Sequence, residues 1–161
     1  MSQAVATRNQ TQTPARTIED WVASENIKQK FHEVLDKGAG AFVTSILSLV
    51  KSTPQLAAAD PKTVISAAMT AATLKLPIDP NLGFAYIIPY GKEAQFQMGY
   101  KGYIQLAMRT GQYKTINASV VYEGQVDGVD FITGEIIRGT KKSDKVVGYV
   151  AYFELINGFS K

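Results

Sequence analysis

The chain has 161 residues, is 45% hydrophobic and carries a formal charge of +3, enough to bury one core and only mildly attractive to an acidic partner. It contains no cysteine, which excludes a disulfide framework, thiolate metal sites and cysteine nucleophiles and suits a reducing compartment. No apolar run nears the roughly twenty residues that span a bilayer, and the polar amino terminus lacks the apolar centre of a secretory signal, so a cytoplasmic protein is expected.

Residues 1–16, rich in Gln, Thr, Ala and Asn, offer nothing to bury and read as a flexible tail, with residues 17–161 as a single domain. Thr17 followed by Asp20 marks a helix start. Trp21, Val22, Ile27, Phe31, Val34 and Leu35 then recur at helical spacing until Gly38 and Gly40. A second helix carries Phe42, Ile46, Leu47 and Val50 and stops before Pro54. In the third, Asp60 caps, Pro61 sits where its missing N–H costs nothing, and Val64, Ile65, Ala68, Met69, Ala72 and Leu76 form the stripe. Its alanines predict close approach of a neighbouring helix.

Pro77, Asp79, Pro80, Asn81 and Gly83 break the helical run. AYIIPY and AQFQM then read as two strands joined by a turn at Gly91 and Lys92. GYKGYIQLAMRTG returns to helical spacing and closes at Gly111. Three β-rich runs follow, KTINASVVYE, DFITGEIIRG and KVVGYVAYFELI. The predicted class is α+β, an N-terminal helical region followed by a β-rich half holding one central helix. The last apolar run ends almost at Lys161, which predicts a strand with an open edge that a partner or a further segment would cover.

Charge distribution says more than its sum. Cations and acids balance over the first forty residues, so the positive surplus lies downstream. From 76 to 123 the only acids are Asp79, Glu93 and Glu123, while Lys92, Lys101, Arg109 and Lys114 are spread among glycines and tyrosines. Interleaved cations and rings suit a single-stranded nucleic acid, because cations hold phosphates and rings accept bases by stacking. On the central helix Lys101, Gln105 and Arg109 fall at i, i+4 and i+8 and share one face, with Ile104, Ala107 and Met108 toward the other side. Two cations with an amide between them make a ladder for successive phosphates. The bland reading is a solvated polar face. Tyr100 and Tyr103 flank the ladder, to stack on bases or to fill the core.

LPIDPNLGFAYIIPYG, AQFQMGYKGYIQLAMRTGQY and VVYEGQVDGVDF together resemble the RecT family of phage recombinases, single-strand annealing proteins related to Redβ. The similarity runs from about Thr17 to the end. It implies ATP-independent annealing of complementary DNA strands, through single-stranded DNA and an annealed duplex intermediate. It further implies homo-oligomeric rings or helical filaments in a bacterial host cytoplasm, beside a partner exonuclease. The family's central motif falls on Gly99, Tyr100, Lys101, Gly102, Gln105, Leu106, Arg109 and Gly111, which assigns phosphate contact to Lys101 and Arg109. Family members usually continue past this point through a further basic, helical segment that this sequence lacks.

Other chemistry is weaker. From Gly83 to Lys92 the spacing is wrong for a phosphate-binding loop, and Glu93 stands where Ser or Thr is needed. No cofactor is expected to be required, magnesium being at most a modulator. Asp127, Asp130 and Glu135 lack calcium-loop spacing and read as turn residues. His32, the sole histidine, has no nucleophile partner, so catalysis is not expected. Trp21 and Phe31 read as core or subunit-contact residues. Lys141 and Lys142, at a predicted hairpin tip, and Lys75, ahead of Pro77, complete the DNA-contact candidates. The competing function is a passive coat on single strands; a structural self-assembling protein is a third reading.

Overall fold

The structure, a computed structural model, describes residues 16–161; apart from Arg16, the expected tail lies outside the described residues. The fold is α+β, with helices first and a strand-rich region holding one helix after them. The chain divides into two compact units, one reaching to Met98 and the other Gly99–Lys161.

In the first unit, α1 (Ile18–Ala23) opens on the expected capping box. Thr17 Oγ1 accepts the Asp20 N–H at 3.2 Å, and Asp20 Oδ2 accepts the Thr17 N–H at 3.0 Å. The Thr17 N–H first, and the Thr17 hydroxyl donating to the same oxygen at 3.0 Å second, hold the Asp20 carboxyl below the usual carboxylate range. The sequence predicts one helix from here to Gly38. Instead the chain breaks at Ser24, which is extended (ψ 137°). The Ser24 hydroxyl donates to the Trp21 carbonyl at 2.7 Å, drawing the backbone out of the helical ladder. Helix α2 (Glu25–Leu35) restarts beyond it, and a 3-10 turn at Asp36–Gly38 leads into α3 (Ala39–Ser52). Gly40 therefore lies inside α3 rather than ending a helix. A short α4 (Pro54–Ala57) precedes α5 (Pro61–Thr73), whose first turn is capped as expected, Asp60 Oδ1 accepting the Lys62 N–H at 2.9 Å.

The core lies among these helices. Phe31, Ile46, Leu56, Val64, Leu76 and Ile78 are buried, each contributing about 1.5–3 kcal/mol relative to exposure. The Phe31 ring lies 5.7 Å from that of Phe42. Ala67, Ala68, Ala71 and Ala72 of α5 are all buried, and their small side chains admit α1, α2 and a β-hairpin at close range. That hairpin is β1 (Ala85–Tyr90) and β2 (Glu93–Met98), antiparallel from Ala85↔Met98 to Tyr90↔Glu93. Gly91 supplies the left-handed turn residue (φ 62°). Ala94 is the register partner of Pro89, yet its N–H donates to Thr63 Oγ1 on α5 at 2.8 Å. The proline thus falls where the ladder needs no donor. The Asp60 N–H donates to the Lys92 carbonyl at 2.8 Å, so the α5 cap and the hairpin turn are tied together.

The second unit begins with α6 (Tyr100–Arg109), and Gly111 (φ 67°) turns the chain into β3 (Tyr113–Tyr122). β3 pairs antiparallel with β6 (Val146–Leu155), and the hairpin of β4 (Val126–Val129) and β5 (Ile136–Arg138) lies between them in sequence. The backbone bonds Glu123 N–H to Lys145 carbonyl and Gly139 N–H to Gln125 carbonyl carry the pairing from one ladder toward the other. The β-rich run DFITGEIIRG supplies a turn and the short β5, and Asp130, expected as a turn residue, organises that turn. Its Oδ1 accepts the N–H groups of Ile132 (2.8 Å) and Thr133 (2.9 Å). β4 was not foreseen. The open edge expected at the last run is partly closed: the chain turns at Gly158, and Phe153 and Lys161 exchange both backbone bonds. Tyr113, Phe153 and Phe159 stack in series, with centroids 5.9 and 6.0 Å apart.

Candidate nucleic-acid interface

α6 carries the densest set of candidates. Its ten residues include no acid, and Arg109 in the last turn complements the negative helix end. Gly102 is buried and Leu106, one turn on, is half-buried, which fixes the inward face. Lys101 and Arg109 are exposed at either end of the polar ladder, with half-buried Gln105 between them. Lys101 and Arg109 are eight positions apart, roughly 12 Å along the axis. Beside them lies an apolar stripe that is also exposed. Tyr100 is 71% and Tyr103 63% accessible, and Ile104 and Met108 are exposed with them. The structure thus brings Tyr100, Lys101, Tyr103, Gln105 and Arg109 together on one short helix, with the rings and the cations both facing solvent.

The remaining candidates are placed elsewhere. Lys114, on β3, is held by Glu154 of β6 at 2.7 Å, and this hydrogen bond, with the Coulomb attraction behind it, raises its pKa above the ordinary lysine range. Lys141 pairs with Asp144, and its Nζ stands 3.9 Å over the Tyr122 ring. Lys142 is exposed in the same segment, between β5 and β6. Its N–H donates to the Glu123 carbonyl at 2.7 Å. This segment is held by a close approach of two glycines. A side chain on Gly139 would meet the Gly124 carbonyl and the Asp127 carboxylate, and one on Gly124 (φ 86°) would meet the Thr140 carbonyl. Lys75 and Lys92 belong to the first unit. Lys75 follows α5 in a left-handed conformation (φ 52°), and Lys92 is exposed in the β1–β2 turn.

Asp127, Asp130 and Glu135 are spread over the β4–β5 hairpin, with Asp130 engaged in the turn. Among the described residues no three His, Cys, Asp or Glu side chains are grouped so as to hold a metal ion. His32 is exposed and Phe31 buried. Among the described residues no helix is long and apolar enough to cross a membrane. Sequence reasoning passed over exposed Lys145, four residues beyond Lys141, and Tyr149 on β6, 83% accessible. Charge spacing pointed to the first; nothing in the alternation of β6 singled out the second.

Comparison with known proteins places these features in a family. The uncharacterized protein YqaK of Bacillus subtilis (strain 168) is 54% identical over 152 residues, covering 93% of this chain and 54% of YqaK. Protein RecT of Escherichia coli (strain K12) is 33% identical over 111 residues, covering 63% of this chain and 41% of that protein. The chain therefore spans about half the length of the curated relatives it matches. A sequence model of the RecT family matches residues 40–161, which include β1, β2, the whole of α6 and the ladder after it. The chain belongs to the RecT family.

Proposed function

We propose that this chain binds single-stranded DNA and promotes pairing of complementary strands in recombination, without ATP and without bond chemistry. The observation that carries this reading is α6: an acid-free helix that exposes Lys101 and Arg109 along one line and Tyr100 and Tyr103 beside it. The cations track the sugar-phosphate backbone while the rings accept bases. Gln105 donates between them, and Lys142, with Lys75 and Lys92, supplies further backbone contacts. Lys114 and Lys141 add to these contacts, and each also serves an intramolecular carboxylate. Neutralised strands approach each other without phosphate repulsion, and base pairing supplies the selectivity. Membership of the RecT family supports the same role. Self-assembly into rings or filaments, action in the cytoplasm beside an exonuclease, and independence of any cofactor belong to the same proposal.

The test is to mix labelled complementary strands with and without the protein, in the absence of ATP. An annealer accelerates duplex formation. A passive coat, the competing reading, retains both strands and slows it.

A further inference from the structure

Tyr149 stands on β6 at 83% accessibility, in a run from Val146 to Phe153 that holds no charged residue. Strand alternation divides the β3–β6 ladder into two unlike faces. Thr115, Asn117, Ser119 and Glu154 share one of them, and Lys114 is drawn to Glu154. On the other, Tyr149 lies opposite Val120, Ala151 opposite Ala118, and Phe153 opposite Ile116. This second face is apolar and carries no carboxylate, yet Ala118, Val120, Tyr149 and Ala151 are all exposed. The Phe153 ring is occupied, flanked by those of Tyr113 and Phe159. Tyr149 meets no ring among the described residues.

The Ala118–Ala151 pair gives that ring a use. Two residues of strand span roughly 7 Å, so two methyl groups side by side leave a shallow floor of about that width next to the tyrosine. A flat, uncharged π system can lie against the ring above such a floor. Cations stand at the near end of the same ladder. Lys142 and Lys145 are exposed, and Lys145, four residues before Tyr149, is anchored where its carbonyl accepts the Glu123 N–H at 2.9 Å. The acids of that segment are engaged, Asp144 with Lys141 and Glu123 with the Ser143 hydroxyl at 2.8 Å. Cations for phosphates and an open ring on a neutral floor for a base are the parts of a single-strand platform. We infer that Tyr149 is a base-stacking residue: one base of the bound strand lies on its ring over the alanine floor, while Lys142 and Lys145 hold neighbouring phosphates. Stacking takes the face of a base and leaves its pairing edge open, as annealing requires. The inference rests on the single-strand reading proposed above and adds a contact that senses bases rather than phosphates, on a surface other than α6.

The experiment measures fluorescence anisotropy with two labelled probes, a short oligothymidylate and an abasic chain of the same length, which keeps the phosphates and lacks the bases. The parent is expected to bind the oligothymidylate more tightly. Tyr149→Ala is expected to weaken that binding about fivefold or more. It leaves the abasic chain and the salt slope as in the parent, because the lost ring bears no charge. Tyr149→Phe, which keeps the ring, is expected to bind both probes as the parent does. Ala151→Leu fills the floor and is expected to weaken the oligothymidylate alone, whereas a face built for apolar docking would gain from the added side chain. A Tyr149→Ala variant equal to the parent on both probes overturns the inference and leaves the face to a protein partner. Equal losses on both probes, or a Tyr149→Phe variant as weak as Tyr149→Ala, also overturn it. Ultraviolet crosslinking of the unaltered parent to a 5-iodouracil strand needs no variant to fold. An adduct on Tyr149 is expected, and adducts that all map elsewhere overturn the assignment. A parent that binds neither probe sinks the single-strand reading itself, and this inference with it; a parent that binds both while Tyr149 proves idle sinks this inference alone.

Discussion

Lys114 and Glu154, forty positions apart, meet at 2.7 Å across the β3–β6 ladder. The lysine pKa is raised by that hydrogen bond first and by the carboxylate's charge second. A raised value means that the pair contributes its full stabilisation below the ordinary lysine range and loses it as pH climbs through the raised value. Lys114→Met is therefore expected to lower the urea midpoint modestly at neutral pH, with the gap to the parent closing in strong alkali. A gap of constant size at every pH would show that the ion pair is not its source.

The carboxyl of Asp130 shows the opposite sign. Backbone hydrogen bonds from Thr133 and then Ile132 hold its pKa below the usual carboxylate range, so its contribution to the turn is present above that range and is lost as pH falls through the lowered value. Amide exchange at Ile132 and Thr133 is expected to speed up selectively in acid, relative to amides of the β3–β6 ladder. Asp130→Asn, which keeps an acceptor but no charge, is expected to remove most of that pH dependence. Acid-insensitive exchange in the parent would contradict the assignment.

Thr63 joins α5 to β2 through a single hydroxyl, which accepts the Ala94 N–H at 2.8 Å and donates to the Asp60 carbonyl at 2.7 Å. Thr63→Val keeps the shape and leaves the Ala94 donor without a partner, at an expected cost of about 1–3 kcal/mol. Thr70→Val is the control, since Thr70 bonds only back to the Ser66 carbonyl within its own helix. Equal destabilisation of the two variants in denaturant titrations would count against the tie.

At the root of the β4–β5 hairpin Gly139 abuts Gly124 with no room for a methyl group. Gly139→Ala is expected to cost about 1–3 kcal/mol and to loosen the segment carrying Lys141 and Lys142, read as faster exchange at the Gly139 and Lys142 amides. Gly148→Ala, which meets nothing within 4 Å, is expected to be near neutral.

The helical half was the more legible in sequence. Thr17 and Asp60 announce their caps through local side-chain chemistry, and the alanines of α5 announce close packing because small residues at helical spacing leave no other way to fill a core. Ser24 was not read as a break, since a serine competes with the helical ladder only when its hydroxyl finds a carbonyl such as that of Trp21. In the second half, alternation marked β3 and β6 and Asp130 was read as a turn residue, but the extent of that turn was hidden, because Phe131 and Ile132 have the composition of a strand while their backbone follows the Asp130 carboxylate. For the site, helical spacing alone placed Lys101, Gln105 and Arg109 together. It could not show that Lys114 answers to Glu154, a pairing set by strand register over forty residues, nor that the stripe of Ile104 and Met108 faces water.

The central claim is that Lys101 and Arg109 grip the backbone of single-stranded DNA. The direct measurement is retention of a labelled strand over a salt series, by the parent and by Lys101→Ala/Arg109→Ala in a form shown to fold. The expected result is weaker retention at moderate salt and a log–log salt slope shallower by about 1.4, about 0.7 for each cation withdrawn from a phosphate. Retention and slope equal to those of the parent would contradict it.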